Sequence, residues 1–483
     1  LDNIVNNQEH RKIPVIDKIG YGSGNFSVGV SMQVVGAYLV FYCTAILGIP
    51  GSLVGLAVSL SIVWDAVTDP LMGYFSDITR SKTFGRRHLY LLIGGIGIAL
   101  TNFFLWNIDA SLPDHIKFTF IFIDILAVKT FMTIFTTPYT ALGAELSNDY
   151  NERTTIQGIK TIFFLLGLSL VSVIGMYIFF QPTHEYPVGQ LNPKAYNHMG
   201  LFSSIIVVIF ALICYLSTKK YIPLLNQPEI KSDNRLWILN LVASFKSIFS
   251  NSTFRYVAFT YMFTNISSAL LSNIGLHVFT YTFLLSSQQI AVIVGIQLLV
   301  SILSQPAWTI ISKKLDKKPA MNLGLFICIA ASFIFLIMVL LKDFIKGSAG
   351  YFIPFAAIGG FGTGGLFTLP LSMIADIIDQ DELKTGKRSE GTYYGCLTLL
   401  YKFTQSITLL LIGFLLDIVN FDASLLVQSE GTVVILGLIL GIGSILSFAA
   451  AFMSLAGYKL NREKVEQIQM QIMEVKKAKS MNI

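Results

Sequence analysis

Apolar residues recur along this chain in long runs, and polar residues collect between the runs. A segment needs about 20 mostly apolar residues to cross the hydrocarbon core of a bilayer. Windows of that size give runs near 20–46, 52–77, 88–108, 117–144, 158–181 and 199–217. A polar stretch over 218–252 follows, with Lys219, Lys220, Lys231, Asp233 and Arg235. Further runs lie near 254–284, 288–311, 320–341, 349–377, 391–418 and 430–457. The pattern predicts an all-α membrane protein with twelve transmembrane helices in two six-helix bundles. Its expected parts are a cytoplasmic N-terminal segment (1–19), an N-terminal bundle (20–217), a central cytoplasmic loop (218–252), a C-terminal bundle (253–458) and a cytoplasmic tail (459–483). The tail is polar and basic and reads as a short surface helix.

Composition narrows the class. Hydrophobic residues make up 53% and charged residues 13%, with mean hydropathy +0.65. A soluble protein has about 25% charged residues, so a soluble enzyme is excluded. Disorder is excluded too, because it needs low hydrophobicity and high net charge. The net charge of +6 gives no reason to expect nucleic acid as a partner. Where the charges sit is more informative. One set of loops carries Arg80, Lys82, Arg86, Arg87, Arg153, Lys219, Lys220, Lys313, Lys314, Lys317, Lys318, Lys384, Lys387 and Arg388. The opposite loops hold Lys117, Lys194, Lys342 and Lys346. Cytoplasmic loops collect Lys and Arg, so the expectation is a multi-pass protein of the cell (inner) membrane with both termini cytoplasmic. The first 19 residues are polar and of mixed charge, and no cleavable signal peptide is expected. Cys43, Cys214, Cys328 and Cys396 lie inside apolar runs and read as small packing residues.

The halves echo each other. The loop from Asp77 to Arg87 follows the second run, and a related basic loop, Ser312 to Lys318, follows the second run of the second half. Weak repetition about a central loop suits a transporter with a midplane site.

Charges inside the runs need a reason, since each costs on the order of 3 kcal/mol on insertion scales. Asp65 and Asp69 are four apart, hence stacked on one helix face, with Thr68 close to it. Carboxylates with a hydroxyl suit a small hard cation. A salt bridge to a lysine of another helix is the plainer alternative. Lys402 is a lone cation midway along the eleventh run and needs a carboxylate or a wet cavity. On the fourth run Lys129, Thr133, Thr136 and Thr140 form one helical stripe, the wall of a candidate substrate cavity. Lys129 could instead pair structurally with Asp124 or a second-run aspartate. Weaker polar positions that could reach substrate are Asn25 and Gln33 in the first run and Asn273 and His277 in the seventh. A lone His such as His277 is more often an interhelical hydrogen-bonding residue.

The segments Asp65 to Gly73, Ser76-Asp77 to Gly85-Arg86-Arg87, Pro138 to Leu146, Asn151 to Thr154 and Ala375 to Asp379, followed by Asp381 to Arg388 and Glu390-Gly391, resemble glycoside-pentoside-hexuronide:cation symporters. Melibiose permeases are members of that family. The resemblance covers all the runs and implies the major facilitator fold and sodium- or proton-coupled solute transport. It implies a cation site at Asp65, Thr68, Asp69 and Thr133 with Lys402 beside it. It implies a cytoplasmic gate of Glu145, Arg153, Asp376 and Asp379, to which the loop residues Asp77, Arg80, Arg86 and Arg87 are added. Lys160 resembles a family arginine near the substrate. The family's sugar-gripping residues, an Asp on the first span and an Asp and a Trp on the fourth, fall on positions like Gly29, Thr136 and Thr140, and the loss of both acids argues against a melibiose-like grip. A more distant resemblance to sodium-dependent lysophosphatidylcholine symporters leaves an anionic or amphipathic substrate open.

The expectation is therefore a secondary active symporter for a sugar, glycoside or uronide, working as a monomer in the lipid bilayer with a monovalent cation. No cofactor beyond coupling Na+ or H+ is expected. An uncoupled channel or scramblase would not need Asp65, Asp69 and Lys402. An enzyme would need a catalytic cluster, and the six histidines are scattered.

Overall fold

The computed structural model describes residues 13–481 apart from 80, 82, 148–149, 226–245, 247, 387–389, 423–424 and 426. Expectations for Arg80, for most of the central loop and for Lys387 and Arg388 fall outside the described residues. So does the side chain of Arg153.

The first half holds α1 (Val15–Phe41), α2 (Gly51–Ile78), α3 (His88–Leu105), α4 (Asp114–Glu145), α5 (Tyr150–Ser169) and α6 (Pro193–Thr218). A π segment, Leu170–Gly175, and a short turn, Met176–Phe179, extend α5. The second half holds α7 (Ser252–His277), α8 in two pieces (Ser287–Leu303 and Gln305–Leu315), α9 (Lys317–Leu340), α10 (Phe352–Thr385), α11 (Glu390–Ile418) and α12 (Glu430–Leu455). A surface helix, α13 (Arg462–Met481), follows and packs on α10. Among the described residues ten helices are long and apolar enough to span a membrane, or eleven with the two pieces of α8, bent by 45°, taken as one. The expected count of twelve is thus not reached on that measure. The segment outside it is α7, where Arg255, Asn265, Asn273 and the serines and threonines between Thr260 and Ser272 dilute the apolar run.

The repeat suspected from the loops is written in the backbone. α1 packs on α5 and α6, and α7 packs on α11 and α12. α4 packs on α2 and α3, and α10 packs on α8 and α9. Both α1 and α7 end in a five-residue π turn, Tyr42–Ile46 and Val278–Thr282. Leu47 N then bonds to Tyr42 O, and Phe283 N to Val278 O. The next residue in each turn has positive φ: Gly48 at 66° and Leu284 at 53°. Glycine takes that conformation without strain, and leucine rarely adopts it, so the turn geometry is imposed by the fold at Leu284.

The halves meet mainly along α2 and α11. Their backbones touch: a Cβ on Gly413 would lie 2.2 Å from Gly51 O, and one on Gly55 would lie 2.7 Å from Leu409 O. Small residues permit such close helix approach in membranes. At that end the halves are also clasped by side chains. Thr44 Oγ1 is 2.8 Å from His277 Nε2, and Gln190 Nε2 donates to Thr280 Oγ1 (3.1 Å) and Leu285 O (2.9 Å). Asp417 of α11 accepts from Gly51 N (2.6 Å) and Ser52 N (2.9 Å), capping the positive end of α2. Phe41, Tyr281 and Phe421 pack around this clasp.

Candidate functional site

α2 carries Asp65 and Asp69 one turn apart, and both face α4 and α11. Lys402 Nζ lies 2.9 Å from Asp65 Oδ2 and 2.5 Å from Asp69 Oδ2. Thr133 Oγ1 of α4 sits 2.8 Å from Asp65 Oδ1 and 2.8 Å from Asp69 Oδ1. Three helices from both halves thus converge on one pair of carboxylates. A hydroxyl has one hydrogen, so Thr133 can donate to only one of the two oxygens. Lys402 and Asp65 are about equally shielded, at 16% and 15% side-chain exposure, and Asp69 is more open at 38%. Access to the pair therefore runs past Asp69.

Of the residues expected at the cation site, Asp65, Asp69, Thr133 and Lys402 come together. Thr68 does not join them through its hydroxyl, which donates to Asp65 O of its own helix at 3.3 Å. That is the usual way a helical threonine satisfies itself.

The stripe on α4 continues beside the cluster. Thr140 is exposed and accepts from Lys160 Nζ at 3.2 Å, and that ammonium lies 5.2 Å from the Tyr139 ring centroid. Lys129 pairs with neither Asp65 nor Asp124 among the described residues, although its charge is close enough to act on Asp65. Thr136, half-buried, stands between Thr133 and Thr140 on the same face.

Above this level the halves enclose a chamber of about 300 Å³. Gln33, one of the candidate substrate residues, is on its wall, together with Ser172, Ser267, Ser272, Gln297 and Thr363. Three other candidates are placed elsewhere. Asn25 is buried between α1 and α5, where its amide donates to Lys160 O at 3.0 Å. Asn273 donates to Ala269 O of its own helix at 2.8 Å. His277 is fully buried in the clasp against Phe41 and Phe421 and serves the interface between halves. Gly29, in place of a family acid, has α5 so close that a Cβ would lie 2.4 Å from Phe164 O.

The bonds described for the expected gate residues form one group in each half, with the side chain of Arg153 outside the described residues. Arg87 Nη2 bonds to Asp77 Oδ1 (2.5 Å) and Glu145 Oε1 (2.8 Å), and Arg86 Nη2 to Glu145 Oε1 (2.7 Å). In the second half Asp376 is held by Lys317 Nζ at 2.7 Å, and Asp379 accepts from Gln469 of α13 at 2.9 Å. The bonds named for Asp376 and Asp379 are to residues of the second half and its following helix. Each cluster ties the loop after the second helix of its half to α4 or α10, which is the repeat again. Sequence reasoning missed Lys317 and Gln469 as partners, and missed Gln297 and Asp417, which sit in apolar surroundings without a charge partner to flag them.

A two-half helical bundle with a carboxylate–lysine cluster between its halves defines a membrane transporter, and not an enzyme. The sequence profile of the MFS/sugar transport protein family matches residues 20–462, and the chain belongs to that family. It is 26% identical to YagG of Escherichia coli strain K12, named as a candidate glycoside/cation symporter, over 94% of each chain. It is 22% identical to sodium-dependent lysophosphatidylcholine symporter 1-A of Danio rerio, over 95% of this chain and 88% of that protein. Among solved structures, a single-site mutant of the nucleoside transporter NupG superposes with a TM-score of 0.62 at 15% identity, covering 92% of this chain and 99% of that one. The fold is the major facilitator fold.

Proposed function

We propose that this protein is a secondary active symporter that couples entry of sodium or a proton to uptake of a small organic solute of the sugar, glycoside or uronide class. The observation that carries the reading is the ion cluster of Lys402, Asp65, Asp69 and Thr133, because the same bonds hold the coupling site and join the halves. In the cation-free state the Lys402 ammonium bridges the two carboxylates and offsets one of their two charges. A monovalent cation arriving past Asp69 takes oxygen ligands from both aspartates and Thr133 and releases Lys402. That loosens α11 from α2, so cation binding biases the relative position of the halves. An uncoupled pore has no use for a carboxylate pair within a membrane span, which is costly.

The basic end is taken as cytoplasmic in the inner membrane, which makes the Thr44–His277 clasp the external one. The chain is taken to work as a monomer. The relationship to a glycoside/cation symporter supports the sugar class. A second reading, an anionic or amphipathic substrate, is favoured by Lys129 and Lys160, which make no ion pair among the described residues, and by the lysophosphatidylcholine relative. The test is uptake into proteoliposomes of a labelled panel of sugars, uronides and lysolipids under an imposed sodium or proton gradient. The proposal expects accumulation against the solute gradient with one cation. Equal uptake with and without both gradients would overturn it.

A further inference from the structure

The chamber between the halves is walled by uncharged groups throughout. Gln33 of α1 and Gln297 of α8 face it from opposite halves, and neither carboxamide bonds to another described residue. The hydroxyls of Ser267, Ser272 and Ser301 are likewise uncommitted, whereas Ser172, Ser268 and Thr363 spend theirs on carbonyls of their own helices. Each carboxamide offers two donors and an acceptor, and each serine a donor and acceptor lone pairs. A solute hydroxyl both donates and accepts, so a polyol can satisfy every one of these groups. A carboxylate or phosphate held here would be taken from water with no cation on the wall, and burying an unpaired charge is costly. Phe367, more than half exposed, adds an apolar face of the kind that lines small-molecule sites. Lys129, Thr136 and Lys160 are not on this wall.

We infer that this chamber binds a neutral polyhydroxylated solute, with Gln33 and Gln297 as its specificity-determining residues, one from each half. The inference rests on the symporter reading and narrows its substrate class. Because the two amides belong to different halves, a solute bridging them binds well only when the halves are at one spacing. Binding is then coupled to the rocking of the bundles without any charge on the solute.

The test uses the full chain in proteoliposomes, with labelled neutral methyl glycosides and disaccharides, the matching uronates, and lysophosphatidylcholine as separate arms. Gln33→Ala and Gln297→Ala are compared with wild type, and Gln297→Asn serves as the conservative variant. The expected result is uptake of a neutral glycoside with KM raised about tenfold or more by either alanine, partly rescued by asparagine. Cation half-saturation should stay within about twofold, which shows that the variants fold. Preferred uptake of a uronate or the lysolipid, or an unchanged KM in both alanine variants, overturns the neutral chamber and leaves symport standing. Absence of cation-driven uptake in every arm overturns both.

Discussion

Lys402 of α11 reaches across the boundary between the halves to Asp69 of α2 at 2.5 Å, and holds Asp65 with the same ammonium at 2.9 Å. The tie between the bundles and the charge balance of the proposed cation site are therefore one structure. Asp69→Asn keeps the shape and removes the more accessible charge. Cation-driven accumulation should fall at least tenfold, while solute exchange without a gradient persists. Flux measured under an imposed gradient in matched vesicles decides it, and accumulation equal to wild type refutes the assignment.

Removing the lysine tests the other partner. Lys402→Ala leaves Asp65 and Asp69 facing each other without their shared counter-charge, and removing one partner of an ion pair away from bulk water is destabilising. The melting temperature of the purified variant should drop in sodium-free buffer. If sodium is the coupling ion, sodium should restore much of the loss by filling the vacated place. If a proton is, lowering the pH should restore it and sodium should not. Recovery under neither condition means the cluster is not a cation site.

Much of this cluster was legible because a charge in an apolar run is conspicuous. Asp65, Asp69 and Lys402 stood out on that ground alone, and spacing put the two acids on one face. Thr133 was legible as part of the polar stripe on the fourth run, but a threonine in a membrane helix usually bonds to its own backbone, and only the family resemblance put it at the cation site. The neutral wall of the chamber was the least legible part. Gln297 and Ser301 lie in a run of Ile, Val and Leu, and which way they point depends on how α8 is rotated against α10. Partner choice was hidden as well: Asp376 finds Lys317 of its own half, and the spacing of charges says nothing about which half will answer. His277 was open between substrate and packing roles, and its aromatic surroundings place it in the clasp.

The contact of α2 with α11 makes a steric prediction. Gly413 has Gly51 O so near that any side chain must push the helices apart. Gly413→Val should lower the melting temperature by several degrees and abolish coupled transport. Gly395, on the same helix, has nothing within 4 Å of an added Cβ. Gly395→Ala should therefore be neutral or slightly stabilising, since alanine is the better helix former. Equal behaviour of the two variants, measured by thermal unfolding and uptake, would show that backbone contact between the halves does not matter.

The clasp gives the last prediction, and it bears on alternating access. Thr44–His277 and Gln190–Thr280 join the halves at the end taken as external, and the α1 wall of the chamber, at Tyr38, lies one to two turns of helix below Phe41 and Thr44. The four native cysteines are buried, so a single introduced thiol can be followed against a low background. Ser272→Cys puts that thiol on the chamber wall. With the clasp intact, a membrane-impermeant thiol reagent added outside should label it slowly, and the same reagent added to inverted vesicles should label it quickly. Thr44→Val combined with Gln190→Ala removes three cross-half hydrogen bonds, each contributing about 0.5–1.5 kcal/mol. A loss of that size is enough to shift a two-state equilibrium about tenfold or more. Labelling from outside should then rise several-fold and labelling from inside should fall. A parallel rise on both sides would mean the variant is merely loosened. No change on either side would mean that the remaining contacts between the halves, the α2–α11 packing foremost, set which end is closed.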